Sequence, residues 1–74
     1  MLEHEAFQLL TLASARDGRQ VSQAVARVWA DDLADVSLEE AVVAARDHYR
    51  ESTVWLMPAH IIERVRPVDD WMNP

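Results

Sequence analysis

The chain has 74 residues, half of them apolar, with one glycine, three prolines and no cysteine. That length allows a single domain, and a folded chain of this size buries only roughly 60% of the surface it exposes when unfolded, so its core is small and no disulfide or thiolate metal site can brace it. Seven basic residues, all arginine, stand against thirteen acidic ones; the net charge of −6 has the wrong sign for phosphate-driven nucleic-acid binding, and no apolar run is long enough for a membrane span.

The start, MLEHEAFQLL, is acidic where a signal peptide would be basic and then apolar, so the expected compartment is the cytoplasm. Leu2, Ala6, Leu9, Leu10 and Ala13 recur at helical spacing and predict a first helix over about residues 2–16, with Phe7 and Leu12 widening its apolar face. Gly18, in Arg16-Asp17-Gly18-Arg19, suits the left-handed conformation that often follows a helix end.

Ser22 can cap a second helix ending near Ala34, with Val25, Val28, Trp29 and Leu33 as its apolar stripe. Ser37-Leu38-Glu39-Glu40 reads as a capping box, with Val36 placed to staple onto Ala41. The third helix then runs to about Glu51, burying Leu38, Ala41, Val42, Ala45 and Tyr49 and turning Arg46, Asp47 and Arg50 outward. Val54 to Met57 form an extended or turning link, because the residue before a proline is pushed from helical angles. Pro58 opens a fourth helix, in which Ile61, Ile62 and Val65 face inward and Arg64 and Arg66 occupy the last turn. Pro67 stops it. The expected architecture is an all-α, compact four-helix domain over residues 1–66 with a short tail, 67–74.

Chemistry is scarce in this pattern. His4, His48 and His60 form no i, i+4 pair, and no Glu-x-x-His arrangement joins them, so His48 and His60 read as helix-surface or half-buried residues and no metal or cofactor is expected. Asp31-Asp32, Glu39-Glu40 and Asp69-Asp70 are sequence neighbours, which diverge by about 100° on a helix and so read as solvated charge. No nucleophile-plus-base signature or glycine-rich phosphate loop is present, and no catalytic residue is assigned. Arg46 and Arg50 share a helix face; they can contribute to a basic patch or pair with nearby acids such as Asp47 and Glu51.

Trp29 reads as core. Leu56 and Trp55 read as a plug between the third and fourth helices, with the open question of whether one indole face stays outside beside Met57 and His60. Trp71 and Met72 in the tail are candidates to dock on the core or on a partner.

Several of these features occur in a recognisable order: Leu9-Leu10, then Trp29 with Leu33, then Ala41 and Ala45 followed by His48-Tyr49, then Trp55-x-Met57-Pro58-Ala59-x-Ile61. Over about residues 6–66 this resembles the helical N-terminal domain of the small phage family of replicative-helicase loaders and inhibitors. The resemblance implies a non-enzymatic binding protein, an accessory of phage DNA replication that docks on a replicative helicase or initiator protein. Trp55, Met57, His60, Arg64, Trp71 and Met72 would form its contact surface. Two other readings stay open: a helix-turn-helix regulator built on the second and third helices, and an acidic inhibitor of a host protein. Self-association could complete so small a core.

Overall fold

Four helices occupy residues 1–65, the part of the chain that the computed structural model describes: α1 (Glu3–Asp17), α2 (Gln23–Asp32), α3 (Leu38–Glu51) and α4 (Pro58–Val65). The expectations for Arg66, Pro67, Trp71 and Met72 lie outside the described residues. The domain is all-α, and among the described residues no helix is long and apolar enough to cross a membrane.

Local chemistry sets each boundary. Gly18 ends α1 at φ 74°, ψ 13°, and its N–H returns to the Ser14 carbonyl. This region is easily reached without a Cβ. Ser22 accepts from the Val25 N–H, so one of α2's unpaired first-turn donors is satisfied. At α3, Ser37 Oγ accepts from the Glu40 N–H at 3.1 Å while Glu40 Oε1 accepts from the Ser37 N–H at 3.1 Å, completing the expected capping box. Pro58 opens α4, and His60, two positions further on, accepts the Met57 N–H on Nδ1 at 2.9 Å. Here an imidazole does what the glutamate of a capping box does at α3.

Helix α1 packs against both α2 and α3, and α3 packs against α4. Gly18 reverses the chain, so α2 returns along α1. The bond from the Tyr49 hydroxyl to Asp17 brings the C-terminal ends of α1 and α3 together. At the opposite end the Met1 amine donates to the Leu33 carbonyl at 2.8 Å, joining the start of α1 to the end of α2. The molecule therefore has one end formed by the α1–α2 turn, the end of α3 and the 52–57 link. Its other end is formed by the α2–α3 connection and the close of α4.

The core is alanine-rich. Ala6, Leu9, Leu10 and Ala13 of α1 meet Ala26 and Trp29 of α2 and Ala41, Ala44 and Ala45 of α3, with Leu33, Val36, Leu56 and Ile61 closing the edges. Among the described residues, the large side chains with no exposure to speak of are Leu9, Leu10, Leu33, Leu56 and Ile61.

Three expectations about burial are corrected. Leu2 lies just before α1 in an extended conformation and is exposed. In α2 the buried stripe is Ala26, Trp29 and Leu33; Val25 and Val28 are exposed. At 3.6 residues per turn Val25 stands a quarter-turn to the side of that stripe and Val28 nearly opposite it. Helix α2 has α1 as its main neighbour, and Ala26 permits close approach where a valine would hold the helices apart. Finally, His48 is buried, not on the surface, because it faces the 52–57 link.

Candidate functional site

Arg19 organises the end of the molecule formed by the link. The left-handed turn at Gly18 brings Arg19 back over Asp17. The guanidinium then donates from Nε at 2.9 and 3.1 Å and from Nη2 at 2.6 Å to the Asp17 carboxylate, which also accepts the Arg19 backbone N–H at 3.0 Å. Both side chains are withdrawn from solvent, 8% and 2% exposed respectively. Two further bonds tie this pair to distant parts of the chain. Tyr49 donates its hydroxyl to Asp17 at 2.5 Å and accepts the Leu56 N–H at 2.9 Å; Arg19 Nη2 donates to the Leu56 carbonyl at 2.8 Å. Both backbone groups of Leu56 are thus held while its side chain is fully buried.

Burial opposes the charged form of Asp17, but hydrogen bonds from Arg19 and Tyr49 outweigh it and lower its pKa to about 2 from an ordinary 3.8. Burial also works against the Arg19 cation, but the bonds to Asp17 win and raise its pKa. Burial, reinforced by Asp17, raises that of the Tyr49 hydroxyl, which stays a donor. Because the folded pKa of Asp17 lies below its unfolded value, its contribution to stability is present in full above about pH 4 and is lost as pH falls toward 2. That contribution is about 2 kcal/mol. Urea midpoints measured down this range should fall in the parent, and Asp17→Asn should remove that share of the pH dependence. An equal acid response in the variant would mean the pair is not what holds this end together.

The guanidinium of Arg19 also lies between two indoles, 5.3 Å from the Trp29 ring centre and 5.2 Å from that of Trp55. Stacking of a planar cation on aromatic faces is favourable, more so where water is displaced. Trp29 is the buried side of this sandwich and Trp55 the outer side. The question left open by the sequence is therefore resolved: Leu56 is the plug, and Trp55 covers Arg19 with one face and remains 53% exposed. Val54 and Met57 beside it are also about half exposed, so an apolar ridge stands on a link whose backbone is fastened.

Histidines fasten the flanks of the ridge. A carbonyl can only accept, so the 2.6 Å contact from His48 Nε2 to Val54 O places the hydrogen on Nε2. His60, whose Nδ1 holds the Met57 N–H, stacks on His48 with ring centres 4.4 Å apart. One nitrogen of each ring is therefore engaged with the backbone of the link. Asp17 already accepts from three groups and is not available as a base. Among the described residues no three His, Cys, Asp or Glu gather to hold a metal ion.

The proposed contact residues separate in the structure. Trp55, Met57 and His60 lie together on and beside the ridge. Arg64 does not join them; it pairs with Glu51 at 2.7 Å, and that bond lowers the Glu51 pKa. Trp71 and Met72 lie outside the described residues. Val54, Asp17, Arg19 and Tyr49, none of them in the contact set expected from the sequence, join the site through tertiary contacts. Beside the ridge, Arg16, Arg46 and Arg50 gather round Tyr49, with the Arg16 guanidinium 6.0 Å from its ring centre. Arg50 approaches Asp47 only at 3.9 Å, and among the described residues no carboxylate lies within 4 Å of Arg16 or Arg46.

No family model matches the chain, and neither a curated protein nor a solved structure is significantly similar to it.

Proposed function

We propose that this protein is a binding module without catalytic activity, and that the ridge of Val54, Trp55 and Met57 is its contact surface. One observation carries this reading: a half-exposed tryptophan, flanked by two half-exposed apolar side chains, stands on a link whose backbone is fixed by Tyr49, Arg19, His48 and His60. An aromatic already ordered before binding loses little conformational freedom in the complex, and tryptophan is the residue most enriched among interface hot spots. The resemblance in the order of Trp29, the alanine-rich helix and Trp55-x-Met57-Pro58 supports a replicative helicase or initiator protein as the partner, in the manner of a phage helicase loader or inhibitor.

The helix-turn-helix alternative gains little from the packing, since α2 and α3 each lie against α1 and have no comparable contact with each other. Calorimetric titration of the purified cognate helicase tests the proposal. Trp55→Ala should weaken binding by at least about tenfold, the effect of a 1.4 kcal/mol hot spot. Its unfolding free energy, read from urea titration, should fall by about 1 kcal/mol or less, because mainly the contact of the Trp55 ring with the Arg19 guanidinium is lost. Undiminished affinity in a folded Trp55→Ala protein would remove the ridge as the contact surface.

A further inference from the structure

The two ends of this molecule differ in charge, and each carries an apolar feature. At the link end, Arg16, Arg46 and Arg50 gather round Tyr49. Arg16 and Tyr49 also line the depression that reaches Trp55, so Arg16 flanks the ridge, with Arg46 and Arg50 behind it round Tyr49. At the other end, where α2 passes into α3 and α4 closes, Asp31, Asp35 and Glu40 stand round an apolar hollow of Val36, Ile62 and Val65. A ridge bordered by cations and a hollow bordered by carboxylates are both present on one chain.

We infer that the occupant of this hollow is the Trp55 ridge of a second copy of the same chain, which gives a salt-sensitive head-to-tail self-association. Charge selects the arrangement. Ridge against ridge would oppose arginines to arginines, and hollow against hollow would oppose carboxylates to carboxylates. Only ridge against hollow brings Arg16, Arg46 and Arg50 to Asp31, Asp35 and Glu40, and like-charge juxtaposition is a strong selector against wrong pairings. Contact between two different patches of one molecule is heterologous, so it extends into chains unless its rotation closes a ring. The inference rests on the reading of the ridge as a contact surface and adds a regulation of it. A copy seated on the ridge covers Trp55, so self-association and partner binding exclude each other, and a partner that binds the ridge must dissociate the assembly.

Sedimentation velocity of the full chain alone, over a concentration series, tests this without any partner present. At low salt the weight-average mass should rise with concentration; at about 500 mM salt, where screening extends over only a few ångströms, it should fall back toward monomer. The variants Arg46→Glu/Arg50→Glu and Asp31→Arg/Asp35→Arg change exposed side chains and should fold, as circular dichroism would verify. Each alone should be monomeric at low salt, and an equimolar mixture should associate again, because each supplies the charge that the other has reversed. A parent that stays monomeric at low salt overturns the inference, as does association of either variant to the parent's extent. Association that appears only in a Trp71→Ala/Met72→Ala chain also overturns it, by assigning the hollow to the chain's own terminal segment. Partner titrations at high salt then read the ridge's affinity separately from self-association.

Discussion

Arg19→Ala is expected to destabilise the domain by about 3–5 kcal/mol, the usual cost of removing one partner from a buried ion pair. The Asp17 carboxylate, 2% exposed, would keep only the Tyr49 hydroxyl and one backbone N–H. The Leu56 carbonyl would lose its side-chain donor, and the two indoles would lose the cation between them. A chain of 74 residues has a total stability of only about 4–11 kcal/mol. The loss should therefore lower the thermal midpoint by about 15–30 °C, or leave the protein largely unfolded at 37 °C. Thermal and urea unfolding followed by circular dichroism measure this directly. The double variant Asp17→Asn/Arg19→Met should recover part of the loss, since it leaves no uncompensated charge. A change below about 1 kcal/mol in Arg19→Ala would class the pair with exposed ion pairs instead.

Leu56→Ala should cost about 2–5 kcal/mol, for a different reason. Among the described residues Leu56 is one of five large side chains that are fully buried, and it enters the helical core from an irregular link. Truncating Val54 or Met57, each about half exposed in the same link, should change stability by no more than about 0.5 kcal/mol. Urea midpoints across the three variants would separate plug from ridge. Equal effects at all three positions would contradict the division of the link into one buried residue and an outward face.

Signals confined to a few neighbouring residues were legible in the sequence. The capping pairs at Ser22 and Ser37/Glu40, the left-handed Gly18 and the helix-opening Pro58 each depend on contacts within about one turn, and each placed a boundary to within a residue or two. The all-α architecture followed from them and from helical spacing. Burial was less legible where alanine and valine compete. The stripe of α2 passes through Ala26, and side-chain hydrophobicity favours the valines that instead face outward.

The candidate site was only half legible. Trp55 and Met57 stood out as an apolar run before a proline, and His60 lay one turn beyond. The device that holds them did not stand out, because it joins Asp17 to Tyr49 across 32 residues and Arg19 to Leu56 across 37. Asp17-Gly18-Arg19 offered one clue, since a left-handed glycine folds the residues on either side of it toward each other. Arg64, expected in the contact set, has Glu51 within reach and pairs with it.

The central claim is that residues 52–57 are fastened before any partner arrives. Amide hydrogen exchange of the free protein tests it at one residue, Leu56, whose N–H lies outside any helix and donates to the Tyr49 hydroxyl. Exchange at Leu56 should be slowed by roughly 100-fold or more relative to an unstructured chain, as for a group released only by a larger opening. In Tyr49→Phe that protection should fall sharply while α1 remains protected. Exchange of the Leu56 amide at the unstructured rate in the parent protein would contradict the account, because the Trp55 ridge would then have no fixed base.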